Sequence, residues 1–311
     1  MKEINYFEPD EIWELFNVKS EDDFREKYLL KGKFHSLVPE TIINDYKVVE
    51  RLMYYSYFNY PLIDEAFSKS TRIFEASVTL KLEISGLKRD GFESLNSKLT
   101  RLKALCSNDL FEQWRAAKEL RNHFAHREAG RLMGIFLMNG FKQNLNLINS
   151  IFLESSTILI KENNLKDLLQ QSEHLVNGLF ILEFRNTKVL ISGARAFTTG
   201  IISNIGKSLW VFTPIIGNKI IQHVNDFPAS LILKLENVQI NEKGLNAIDA
   251  VTKEVIQLTV TENGENVEKF NLHNKRIAEI EKISPNISLE YMSMLKHETA
   301  KEISDFLYED W

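Results

Sequence analysis

The sequence predicts a mainly α N-terminal helical bundle followed by a smaller, β-rich α+β module. Three observations carry this. Apolar residues recur at three- and four-residue spacing from Leu62 to Leu153, and no proline interrupts the chain between Pro61 and Pro214. Beyond Asn163-Asn164 the texture changes to short β-branched and aromatic runs punctuated by turn residues. With 311 residues, 44% of them hydrophobic, the chain is long enough for one large or two ordinary domains. These features divide it into a lead segment (1–38), a helical bundle (39–160) and a C-terminal module (161–311) that ends in helices.

Taken in order, Pro39 opens a helix that closes on the aromatic run Met53 to Tyr60. Those rings could stack on unpaired bases, but packing at a helix junction is the simpler reading. In Leu62–Ser85, Ile63, Phe67, Ser70, Phe74, Ser77 and Leu80 trace one face of a long helix. Gly86 and Gly91 bracket a break before a second stripe, Phe92 to Cys106. Ser107-Asn108-Asp109 is an N-cap cluster for a third helix, Leu110 to about Phe124, with Glu112 placed to support the cap. Gly130 marks the gap before a fourth, Arg131 to about Leu153, which is apolar over most of its circumference. Such a helix lies at the centre of its bundle or at a subunit interface. Short connections make these four an antiparallel up-and-down bundle.

A helix near Leu165–Val176 leads into five β-rich runs, 179–184, 188–191, 208–212, 231–235 and 255–260. Two helices follow, Asn274–Ile283 and Leu289–Leu307. Ser192-Gly193-Ala194-Arg195 follows the second run and reads as a turn; the alternative, a phosphate-binding loop, has less support.

Composition narrows the function classes. A single cysteine, Cys106, excludes an intramolecular disulfide framework and a cysteine-based zinc site, and fits a reducing, cytoplasmic setting. The seven histidines are scattered without metal-ligand spacing, so neither a metal nor another cofactor is expected. Walker, dinucleotide and nucleophile-elbow motifs are absent. The first residues lack a secretory n-region and h-region. The best apolar run, Leu209 to Ile216, is too short to span a bilayer, so no membrane partner is expected. Net charge is −5, yet residues 98–131 carry eight basic and four acidic residues. That local excess suits a phosphate-contacting cleft rather than non-specific coating of a duplex.

Inside this basic stretch the chain reads Leu120-Arg121-Asn122-His123-Phe124-Ala125-His126-Arg127. An always-charged guanidinium forms a planar fork onto phosphate oxygens, and imidazole can take and give protons near neutral pH. Together they suit metal-free cleavage of RNA. On an ideal helix Arg121 and His126 lie about 140° apart, so they converge only if the helix ends between them or the long Arg swings across.

The run Arg121-Asn122-x-x-x-His126 resembles the R-x(4–6)-H motif of the HEPN superfamily, a similarity covering roughly residues 40–155. The resemblance implies an all-helical domain of the kind found in ribonuclease toxins and anti-phage defence proteins. It also implies RNA as partner and a homodimer in which each copy supplies one Arg and one His to a shared cleft. On that pattern Arg121 contacts phosphate, Asn122 is the polar residue after it, and His126 is the acid/base. A neutralising antitoxin or a regulatory protein is a further partner to expect. In one subgroup a modified Tyr stands two residues past the His; here that position is Glu128. Arg115, Lys118, Arg127 and Arg131 are candidates to track an RNA backbone, and the apolar fourth helix is a candidate pairing surface.

Two other readings stay open. The bundle could be a non-catalytic scaffold or RNA- or partner-binding module with Arg121 in its core, paired with Glu75 or Glu83. Alternatively, an active site could lie in the C-terminal half, near Arg195, His174 or His223.

Overall fold

The computed structural model describes residues 7–87, 91, 93–125, 133–217 and 221–311, with the backbone alone for residues 109 and 120–125. The chain divides into two compact units: residues 1–158 together with Trp311, and residues 159–310. The first is helical; the second is built on a closed six-stranded antiparallel barrel.

The helical unit opens with two short helices where the sequence suggested only a lead segment: α1 (Ile12–Leu15) and α2 (Glu21–Tyr28). Ser20 caps α2 by accepting from Asp23 N–H, and Trp13 and Phe24 are buried. Their rings meet edge-to-face at 4.7 Å, and Trp13 also packs on Tyr60 at 5.0 Å. The aromatic run at the end of α3 (Glu40–Tyr55) therefore receives the lead segment: Tyr57, on Phe24 at 5.2 Å, and Tyr60 are buried in this cluster.

The central element is α4 (Leu62–Ile84), whose buried face includes Ile63, Phe67, Ser70, Phe74 and Ser77 as the periodicity predicts, while Leu80, expected on the same face, is only half-buried. It packs against α3, α5 (Leu95–Leu102), α6 (Asn108–Ala125) and α7 (Met138–Phe152). The second expected stripe is shorter than its apolar pattern: Ser94 caps α5, and a 3-10 turn over Lys103–Leu105 ends it. The fourth expected helix is also cut back. Residues Gly134–Leu137 form a 3-10 turn, and α-helix starts only at Met138. Gly134 is the reason. Its φ of +54° lies in the left-handed region, and any Cβ there would overlap the Tyr60 hydroxyl.

The greasiness of α7 belongs to the interior. Phe141, Leu145, Ile148, Ile151 and Phe152 are buried, and Gln143 is its only exposed residue. Even its asparagines face inward: Asn144 donates to Ser70 Oγ on α4 at 2.7 Å, and Asn149 is fully buried. The expectation that this helix offers a pairing surface is thereby corrected, because its apolar residues are already consumed within the chain.

In the second unit, α8 (Ser155–Gln171) lays Leu165, Leu168 and Leu169 on the barrel core, and a 3-10 turn follows at Glu173–Leu175. The six strands form an antiparallel meander closed by β6 on β1: β1 Phe180–Phe184, β2 Thr187–Thr199, β3 Lys207–Pro214, β4 Leu231–Asn241, β5 Gly244–Asp249 and β6 Val255–Val260. Alternate residues fill the interior, among them Phe180, Leu182, Trp210, Phe212, Leu235 and Leu258. The β1–β2 hairpin turns on Arg185 and Asn186, both at positive φ, as a two-residue hairpin loop requires.

Two expectations for this unit need correction. Ser192 to Arg195 is neither a turn nor a phosphate loop; it lies within β2, with a register shift between Ile191 and Gly193. Gly193 is there because a Cβ would strike the Val176 carbonyl, where the chain entering the barrel crosses the strand. The strand β5 was not foreseen at all. Outside the barrel, α9 (Gly264–Ile283) begins ten residues before the expected helix, capped by Asn263, and α10 (Pro285–Tyr308) completes the unit.

Candidate functional site

Positions 121–125 of the Arg121–His126 motif are the last described residues of α6. Ser107 Oγ accepts from Leu110 N–H at 3.2 Å, starting α6 where the N-cap cluster predicts. Phe111 and Trp114 anchor its inner face, and Trp114 Nε1 donates to Ser150 Oγ on α7 at 2.9 Å. The helix continues through Ala125, so no break intervenes between positions 121 and 125. By backbone position, 121 lies two turns beyond buried Trp114, and 122 lies two turns beyond exposed Arg115.

The side chains of Arg121 and Asn122 are not among the described groups, and His126, Arg127 and Arg131 lie outside the described residues. Two of the predicted backbone-tracking residues can be placed. Arg115 is exposed, with Glu112 at 3.3 Å one turn back. Lys118 is largely enclosed, with its ammonium 2.8 Å from Glu119 and donating to Asn96 Oδ1 on α5 at 3.1 Å. Arg115 is therefore open to an incoming phosphate, whereas Lys118 is committed to the fold.

The far side of the motif segment is fixed by groups that sequence reasoning missed. Asp64, in the first turn of α4, accepts from Gly134 N–H at 2.8 Å and from Met133 N–H at 3.2 Å. The Tyr60 hydroxyl accepts from Ile135 N–H at 3.0 Å. Asp10 in turn accepts from Tyr60 N–H at 2.8 Å. Burial pushes the Tyr60 phenol above its ordinary value; the Ile135 N–H opposes this, and the nearby Asp64 carboxylate reinforces it. Both ends of the motif segment thus leave from α4-packed structure. A lone glycine inside an apolar helical pattern was the available signal for this anchor. Beside it Phe136 is 81% exposed and Met133 38%, an apolar tip directly after the motif segment.

Elsewhere, buried His35 is a structural histidine. Its Nδ1 accepts from Leu37 N–H, so Nε2 donates to the Asn149 carbonyl at 2.9 Å, and burial holds its pKa below the usual value. Among the described residues, no three His, Cys, Asp or Glu side chains cluster as a metal site would require, and no helix is long and apolar enough to cross a membrane. In the barrel unit Arg195 lines a cleft of about 470 Å³ against α10 that contains no histidine. His174 lines a separate one with Gln171, Ile240, Asn241 and Glu242. No family model, curated protein or solved structure matches the chain.

Proposed function

We propose that the helical unit is a metal-independent endoribonuclease of HEPN type, acting as a homodimer and serving as a toxin or anti-phage effector. The observation that carries this reading is the position of Arg121-Asn122-x-x-x-His126. Its positions 121–125 lie on a helix packed on the central α4, within the basic stretch, and the described chain resumes at Met133 and Gly134, whose amides donate to Asp64 of α4. The exposed tip of Met133 and Phe136, rather than α7, is the apolar surface available beside the motif for pairing with a second copy.

In this mechanism one His126 imidazole removes the proton of a 2′-hydroxyl, and the 2′-oxygen attacks the adjacent phosphorus. The His126 imidazolium of the second copy protonates the departing 5′-oxygen as its bond to phosphorus breaks. Arg121 guanidiniums neutralise the charge that builds on the non-bridging oxygens. The products carry a 2′,3′-cyclic phosphate and a 5′-hydroxyl. Because positions 121–125 lie on one continuous helix, this mechanism requires the long Arg121 side chain to reach across or the chain to change direction beyond Ala125. The RNA sequence cut and the trigger for cutting are not specified by these residues.

The test is incubation of the full chain with RNA in EDTA. Wild type should cut and leave those termini, while Arg121→Ala and His126→Ala should lose at least about a hundredfold in rate, the lower range for removing a general acid or base. Equal cutting by both variants would dismiss the assignment. RNA binding that survives His126→Ala, with no cleavage by wild type, would identify a non-catalytic bundle instead.

A further inference from the structure

The barrel unit offers a second, independent site. Strand alternation turns Gly193, Arg195 and Phe197 of β2 and Val211 and Thr213 of β3 to the outside of the barrel, opposite the residues that fill its core. Helix α10 lies across this outer face with a stripe at three- and four-residue spacing from Met292 to Ile303. The groove between them, open to solvent at Arg195, Met292, Lys296 and Ala300, has a volume of about 470 Å³, within the range of small-molecule sites.

Its chemistry is specific. The lining side chains are apolar, Met292 among them, apart from two threonines, Thr213 and Thr299, and two cations, Arg195 and Lys296. No carboxylate lines it, although residues 159–310 carry 20 Asp and Glu against 16 Lys and Arg. Arg195 projects from a strand whose neighbours Ala194 and Ala196 are buried, and its guanidinium lies 5.7 Å from the Phe197 ring. Among the described residues neither cation has a carboxylate within ion-pair distance. On an acidic module, two unpaired cations over an apolar floor complement an anionic headgroup attached to an apolar body.

We propose that this cleft binds a long-chain monocarboxylate, with the carboxylate held by Arg195 and Lys296 and the alkyl chain laid between the barrel wall and α10. A nucleotide is disfavoured because base edges need several fixed donors and acceptors, and two threonine hydroxyls supply few. An added peptide strand is disfavoured because closure of the barrel leaves no free strand edge. The site stands apart from the ribonuclease reading and survives its failure.

The experiment is a fluorescence titration of the full chain with dansyl-undecanoate. Saturable binding with one site per chain is expected, displaced by laurate at least about tenfold more effectively than by dodecanol, and not displaced by AMP. The exposed-site double variant Arg195→Gln/Lys296→Gln should weaken probe binding about tenfold or more. Ala300→Trp should abolish binding by filling the cleft. Absence of saturable binding to wild type overturns the proposal, as do equal displacement by acid and alcohol, displacement by AMP, or unchanged affinity in the double variant. If Ala300→Trp misfolds, the double variant and the competitor series decide the matter alone.

Discussion

The two units each pin an irregular stretch of backbone with one carboxylate, and they do so to different ends. In the helical unit Asp64 holds the Met133 and Gly134 amides, and the chain on the other side of those amides leads back to the motif. In the barrel unit fully buried Asp310 accepts from the Ile202 and Asn204 amides at 2.9 and 2.6 Å and also from Ile201 N–H, closing the turn between β2 and β3. The latter finishes a structure whose backbone is already satisfied by a closed ladder. The former fixes one end of the segment that holds the proposed site. A carboxylate on backbone amides is thus a structural device in one unit and, on the proposed ribonuclease reading, a positioning device in the other.

The sharpest way to break this comparison is Gly134→Val. A side chain there meets the Tyr60 hydroxyl and forces a strained φ, so the helical unit should lose about 4 kcal/mol in urea denaturation. Gly86→Ala is its control: Gly86 also has positive φ, at +67°, but open space around it, and should cost only about 1 kcal/mol. Similar losses for both would mean that the Tyr60 contact is not what matters.

Next come the carboxylates themselves. Asp310→Ala should cost about 3 kcal/mol through lost charge-assisted hydrogen bonds and leave RNA cleavage by the intact chain unchanged at low temperature. Asp64→Ala should cost less stability, about 2 kcal/mol, yet slow cleavage in EDTA more than Asp310→Ala does. The reverse order in activity would remove the positioning role of Asp64.

The smallest effect is the pH dependence that the units share. His35 in the helical unit and His273 in the barrel unit, whose Nδ1 accepts from Ile216 N–H at 3.0 Å, are both held below the ordinary value of 6.5, chiefly by burial. The unfolded chain then binds more protons than the folded one as pH drops below about 6.5, so stability is lost on acidification from that point toward the depressed values. An NMR titration of the imidazole protons should place both transitions below 6.5. A transition above it for either ring would contradict the burial account.

Much of the helical unit was legible in the sequence because α4, α6 and α7 carry long apolar periodicities, and Ser107 announces the start of α6. The ends of α5 and α7 were not. There backbone demands at Ser94 and Gly134 override an apolar pattern that continues past them. The barrel was legible only as β-rich texture. Closure depends on β5, Gly244–Asp249, where Asn246 and Asp249 interrupt the expected composition, and on β1 and β6, whose paired residues lie 74 to 80 positions apart and are matched by register alone. Gly193 misled because close backbone approach and a turn call for the same residue. At the candidate site the Arg and His spacing stands in the sequence, whereas Tyr60 and Asp64 do not. Their partners lie about 70 residues away and are backbone amides, which leave no mark on composition.

The most direct test of the composite pocket is co-assembly of wild-type chains with an equal amount of His126→Ala chains, reading total cleavage in EDTA. If the acid and base come from two copies, only wild-type pairs cut. Random pairing then leaves about one quarter of the activity of an all-wild-type sample of the same total concentration. Retention of about one half would show that each chain carries a complete site by itself, and would contradict the account.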